Sequence, residues 1–355
     1  MINNRRASHG LKKIDDMELS MLCHQLNVVL KSGINPLEGI PLIAEDINNS
    51  EIQSSLLFIS QNMLERIPMF QAFSETGRYP DYMVHMIEIG EKTGTLETVM
   101  ENLSTYYETE ADIKKRMKSA IVYPIILGLL MFGVIALLIL KIIPMFGEIL
   151  SSLGGQVPKE AKILFSFALN MKSIMIWLIV SILFISIFFI LFIKTRKGRF
   201  IFDRLKVENP VSGPLYRKIM ASRLGQGLCI TIQSGLNPME GCNSMKGLVD
   251  NTFVNEQVDV ASEKISQGAA FSTVIKETKL FPELFVRMIR TGERTGNLDS
   301  MMQKLSRVYA KEAELSLRKF SGSIEPIMVV ILSVILGVVL LSVLLPLIGI
   351  MASIG

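Results

Sequence analysis

The sequence predicts an all-α integral membrane protein: two homologous cytoplasmic helical bundles, about six helices each, carried by three transmembrane helices. Three observations predict it. Long runs lack charge, the chain repeats its own sequence, and helix start and stop signals recur with no alternating strand pattern between them. With 49% hydrophobic and only 20% charged residues, the chain is too apolar for an ordinary soluble protein of 355 residues, yet long charged stretches remain.

Three runs carry the excess. Residues 121–143 are apolar except for Tyr123 and Lys141, and 174–193 and 326–352 contain no charge. A helix rises about 1.5 Å per residue, so roughly 20 residues cross a hydrocarbon core. Each run is long enough, whereas the apolar stretches of buried soluble helices usually stop at about 10–14 residues. Flanking charge gives direction. Lys114, Lys115, Arg116 and Lys118 precede the first run, Lys194, Arg196, Lys197, Arg199 and Arg204 follow the second, and Arg318 and Lys319 precede the third. Residues 1–13 are polar and basic, unlike a signal peptide, so the N-terminus is expected in the cytoplasm and the order is in–out–in–out. The expected divisions are an N-terminal tail (1–14), a first cytoplasmic helical domain (15–118), a span (119–143) and an extracytoplasmic loop (144–173). A second span (174–193), a linker with the second helical domain (194–323), a third span (324–352) and an extracytoplasmic tail (353–355) follow.

The repeat explains this order. Gly90-Glu91-Lys92-Thr93-Gly94-Thr95-Leu96 returns as Gly292-Glu293-Arg294-Thr295-Gly296-Asn297-Leu298. Ser32-Gly33-Ile34-Asn35-Pro36-Leu37-Glu38-Gly39 returns as Ser234-Gly235-Leu236-Asn237-Pro238-Met239-Glu240-Gly241, again 202 residues on. With no gap, Pro80 falls on Pro282, Tyr107 on Tyr309 and Pro124 on Pro326. About 30% of positions between Ser20 and Pro124 are identical, which marks a duplicated domain rather than a solenoid. Two copies in one orientation require the chain to come back between them. Residues 174–193 have no counterpart and supply that return, which gives parallel repeats about an axis along the membrane normal.

Local chemistry marks the helices. Asp15 or Asp16 can cap a helix that stops at Gly33. Asn35-Pro36-Leu37-Glu38 is a start signal, with Asn at the N-cap, Pro in the first turn and Glu placed to reach back; Asn237-Pro238-Met239-Glu240 repeats it. Ile52, Leu56, Ile59 and Met63 stand at helical spacing. Pro80 and Pro282 open a helix that Gly90 and Gly292 are expected to close. Thr95 or Asn297 then caps a long helix, with Leu96, Met100, Leu103 and Tyr107 along one stripe, running toward the membrane. Pro124 and Pro326 either kink this helix at the bilayer or occupy the first turn of a separate span.

No enzyme signature emerges. Gly90–Gly94 has the superficial look of a phosphate loop, but such a loop places Gly before its Lys and lies between a strand and a helix. Here Glu91 precedes Lys92 and helices flank the turn, so glycines at positive φ between two helices are expected instead. Cys23, Cys229 and Cys242 read as free reduced thiols, and His9, His24 and His85 are too scattered for a metal site. No cofactor or metal is expected. A transporter would usually bury ionisable groups at the midplane, and only Lys141 and Glu325 come close, both near span ends. Glu325 is placed either to bind a cationic group of a partner or to answer the positive end of the third helix. Glu88 and Arg290 occupy equivalent sites with opposite sign. That is either drift on a solvated face or a sign that the copies dock to different neighbours.

Together, the doubled Ser-Gly-x-x-Pro element, the two Gly-Glu-[Lys/Arg]-Thr-Gly-x-Leu turns, Tyr123-Pro124 and Glu325-Pro326 resemble the type II secretion system protein F family, over roughly residues 17–352. Its type IV pilus members are inner-membrane platform proteins. The resemblance implies a non-enzymatic scaffold of the bacterial cytoplasmic membrane that forms dimers or higher oligomers. It also implies that the scaffold engages a hexameric cytoplasmic assembly ATPase, pilin or pseudopilin subunits and other inner-membrane assembly proteins, with no nucleic acid bound directly. The rival classes are a transporter or channel subunit and a membrane sensor, both compatible with parallel repeats.

Overall fold

The computed structural model describes residues 14–137, 191–210, 212–245 and 248–354, with isolated residues between 141 and 188. The expected loop at 144–173 and most of the span at 174–193 lie outside the described residues. Among the described residues every regular element is a helix. The first repeat supplies α1 (Asp16–Lys31), α2 (Pro36–Asp46), α3 (Ser50–Leu64), α4 (Met69–Thr76), α5 (Asp81–Thr93) and α6 (Leu96–Leu137). Then come α7 (Arg196–Glu208), α8 (Gly213–Gln233), α9 (Pro238–Ser244), α10 (Thr252–Ser266), α11 (Phe271–Glu277), α12 (Glu283–Thr295) and α13 (Leu298–Ile354). Pro36, Ser50, Met69, Asp81 and Leu96 begin α2 to α6, and α9 to α13 begin 202 residues later in each case.

Capping chemistry sets these starts. The Asn35 side chain accepts from the Leu37 N–H at 3.0 Å, and Asn237 accepts from Glu240 N–H at 2.9 Å while the Glu240 carboxylate reaches back to the Asn237 N–H. The reciprocal box is thus complete in the second repeat; in the first, Asn35 caps and Glu38 makes no return bond. Asp15 caps α1, with Glu18 accepting from the Asp15 N–H. Gly33 and Gly235 follow α1 and α8 in matching turns, closed by Ile34 N–H to Val29 O and Leu236 N–H to Thr231 O.

The chain divides into two compact units, one formed by the residues up to Lys115 with Phe200–Ser316, the other by Arg116–Arg199 with the residues from Leu317 on. Both repeats therefore contribute to the first unit. Its core takes Leu19, Leu22 and Leu26 from α1, Leu56 and Ile59 from α3, and Met100 and Leu103 from α6, all essentially inaccessible. The predicted stripes at 52–63 and 96–107 supply much of this surface; Met63 and Leu96 sit at its edge. Ile230 of α8 belongs to the same cluster, and Leu236 and Leu248 pack on it, so the second repeat lends side chains to the core of the first.

In the second unit the helices show apolar side chains on their surfaces. Leu96–Leu137 and Leu298–Gly337 are each long and apolar enough to cross a membrane. Leu129 and Leu130 are 66% and 64% exposed, Val330 and Val334 61% and 60%. Contiguous apolar surface of this kind is costly in water and natural in lipid. Pro124 and Pro326 lie inside uninterrupted helices, so the reading that places them in the first turn of a separate span fails. Each proline lacks the N–H that would bond four residues back, leaving the carbonyls of Ala120 and Gly322 without that partner. Glu325 is likewise in the interior of α13, 27 residues past its start, and the positive end of a helix does not explain it.

Candidate functional site

The doubled Gly-Glu-x-Thr-Gly turn is the most conspicuous motif, and its geometry assigns each residue a task. The helices α5 and α12 do not close at Gly90 and Gly292 as the sequence reading expected; they run on to Thr93 and Thr295. Gly94 and Gly296 end them at φ 72° and 68°, a left-handed conformation that costs a side-chain-bearing residue about 1–2 kcal/mol. Gly90 and Gly292 act through space. A Cβ at either position would stand 3.0 Å from the Cα of Leu96 or Leu298, so the missing side chain lets α6 and α13 leave close against α5 and α12.

Glu91 and Glu293 reach across the repeat. The Glu91 carboxylate accepts from the N–H groups of Met69 and Phe70 at 3.0 and 3.2 Å, and Glu293 accepts from Phe271 and Ser272 at 2.9 and 3.3 Å. Each caps the first turn of a helix whose preceding residue, Pro68 or Ala270, offers no side-chain bond. The turn's own amides are spent internally, Thr95 N–H on Gly90 O and Asn297 N–H on Gly292 O. Lys92 pairs with Glu88 at 2.6 Å. The motif is used here as a clasp between helices.

The surface where the repeats meet holds a buried ion pair. The helices α6 and α8 run antiparallel, with the Asn102 amide donating to Gln233 at 3.0 Å and the Arg223 guanidinium donating to Glu110 at 2.6 Å. Burial pushes the Glu110 carboxyl up, and the Arg223 charge opposes that rise. Tyr82 packs tilted on Tyr106 with centroids 5.3 Å apart, and Tyr106 meets Tyr107 edge to face at 5.1 Å. His85 bonds Ser244 of α9 at 3.1 Å. The three polar bonds between repeats were not legible beforehand, because their partners are more than 100 residues apart and no local pattern marks them.

The residues singled out for docking separate. Glu88 is held below the ordinary carboxylate value by the Lys92 ammonium and its own neighbour His85. Arg290 lies in a cleft on the second repeat, lined also by Arg217, Lys276, Lys279 and Arg287. Glu325 is exposed on α13.

A doubled framework, all-helical among the described residues, whose two longest helices are apolar and long enough to cross a membrane has the makings of a membrane protein. The profile of type II secretion system (T2SS), protein F, matches residues 22–144 and again 227–346, and the chain belongs to that family. It is 28% identical to the type IV pilus assembly protein PilC of Thermus thermophilus over 340 residues, covering 95% of this chain and 83% of the relative. The PilC of Myxococcus xanthus is 25% identical over 97% of this chain and 83% of its own. The type II secretion system protein F of Aeromonas hydrophila is 24% identical over 93% and 85%.

Proposed function

We propose that the chain is a non-enzymatic inner-membrane platform that couples a cytoplasmic assembly ATPase to the extraction of pilin or pseudopilin subunits and their assembly into a filament. The observation that carries this reading is the helix continuity of α6 and α13. Each passes from a helical repeat, through a proline, into exposed apolar surface without a break. The family match over both repeats supports the same assignment.

In this reading three spans place both repeats in the cytoplasm and the C-terminus outside, and the platform works as a dimer or higher oligomer. The sign reversal between Glu88 and Arg290 fits two repeats facing different neighbours. The full chain, solubilised from cells carrying the filament system, is expected to co-purify with a hexameric ATPase and a pilin-like subunit. Purified alone it is expected to leave ATP intact. Hydrolysis that persists through purification and is abolished by Lys92→Ala would replace the scaffold with an enzyme.

A further inference from the structure

The cleft containing Arg290 has a volume of about 350 Å³ and is set into the second repeat between α8, the end of α11 and α12. Five cationic side chains line it: Arg217, Lys276, Lys279, Arg287 and Arg290. Arg287 is paired with Glu283. The other four make no ion pair among the described residues. Five cations against the single carboxylate of Glu283, whose field reaches Arg287 and Lys276, leave the recess with a positive excess that favours an anionic partner.

Two comparisons within the chain show that this charge is particular to the second repeat. At the equivalent positions the first repeat has Asp15 for Arg217, Ser74 for Lys276 and Glu88 for Arg290. Lys279 is more telling. Its φ is +53°, in the left-handed region, and its counterpart is Gly77 at +63°. The shared framework needs a left-handed residue here, and the second repeat holds a lysine in it at the expense of backbone strain.

We propose that this cleft is a docking site for a carboxylate-rich segment of a partner protein. A phosphate group fits less well. Phosphate sites draw on clustered backbone N–H groups, and α12 opens instead with Pro282, which has no N–H, followed by the negative Glu283. Glu283 on Arg287 already shows a carboxylate seated on this surface. The matching acidic face of a second copy is a poor occupant, because Glu88 is already engaged by Lys92 and His85 of its own chain. The inference rests on the reading of the repeats as partner-facing domains, but its test reads binding alone, so failure here leaves the membrane platform intact.

The experiment uses the full chain in detergent and a short fluorescein-labelled peptide rich in Glu and Ser, followed by fluorescence anisotropy. The parent is expected to bind it, more weakly as salt rises, and to ignore the Glu→Gln peptide. The variant carrying Arg217→Glu, Lys276→Glu and Arg290→Glu is expected to lose binding by at least about tenfold. A charge-matched variant with Lys304→Glu, Arg307→Glu and Lys311→Glu on the outer face of α13 is expected to bind like the parent. Lys279→Gly is expected to weaken binding while raising the unfolding temperature, so its loss of affinity cannot be misfolding. Equal losses in the two triple variants would reduce the effect to net charge and overturn the proposal. Displacement of the peptide by inorganic phosphate at matched ionic strength would overturn it in favour of a phosphate site. A fall in oligomeric state confined to the cleft variant would overturn it in favour of a second copy.

Discussion

Glu91 and Glu293 each hold two backbone N–H groups of a helix that otherwise starts uncapped. Truncating either carboxylate leaves those donors to water, and caps of this kind contribute about 1 kcal/mol. Glu91→Ala and Glu293→Ala are therefore each expected to lower the stability of the helical unit by about 1–2 kcal/mol, with Gln in between, read from urea midpoints followed by circular dichroism. Asp203 plays a similar part for α10. It is 2% exposed, and accepts from the Thr252 N–H at 2.9 Å, the Thr252 hydroxyl at 3.0 Å and Lys206 at 3.1 Å. Burial alone would raise its carboxyl, but these bonds prevail and lower it from 3.8. A depressed carboxyl contributes stability that is present above the unfolded value and lost as pH falls through the folded one. The unfolding temperature of the parent should accordingly drop as pH falls below about 4, while Asp203→Asn starts lower and changes less there. Parallel pH profiles would show that Asp203 is not the titrating group.

At the scale of elements, close approach of helices is the recurring device. Gly90 and Gly292 lie where a methyl group would meet the backbone of the next helix at 3.0 Å. Overpacking of this sort typically costs about 1–3 kcal/mol, more than the roughly 1 kcal/mol of helix propensity that Ala would return. Gly90→Ala and Gly292→Ala are expected to destabilise the unit despite their better intrinsic propensity; a stabilising result would show that α5 and α6 part without cost. These glycines also mark where the sequence could be read and where it could not. Asn35-Pro36, Asn237-Pro238 and Gly94 declare themselves because their chemistry is local, acting on backbone within a few residues. Gly90 was legible as a constraint but was assigned to the wrong cause, since a helix end and a helix crossing both favour glycine. The partners of Glu91, over 20 residues away, and the continuity of α6 and α13 through their prolines depend on packing that no short window contains. Glu325 resisted for the same reason: a proline beside it looks like a helix start and is a helix interior.

For the whole molecule, the ordering of repeats about the membrane is the claim most open to direct test. Cys23, Cys229 and Cys242 are buried, and burial pushes the Cys229 thiol up to about 11 and Cys242 to about 12, so the native background in thiol labelling is expected to be low. Single cysteines at Ser152 and Gly355 are expected to react with an impermeant maleimide in intact cells lacking an outer barrier. A cysteine at the exposed Ser54 of α3 should react only after lysis. Labelling of Ser54 in intact cells would invert the topology. The spacing of the repeats shows nothing of how they meet; Ile230 packs into the core of the first repeat, and Arg223 and Gln233 bond its long helix.

That meeting of the repeats bears on how a duplicated chain avoids mispairing as it is made. The first repeat leaves the ribosome before its companion exists, and the related surface nearest to hand belongs to first repeats on neighbouring nascent chains. In such a homotypic pairing Glu110 would meet Met21, the counterpart of Arg223, and the carboxylate would be buried without the guanidinium that bonds it. Leaving one member of a buried pair alone costs about 3–5 kcal/mol. The wrong partner is therefore refused until α8 arrives carrying the guanidinium, and assembly within one chain is favoured over assembly between chains.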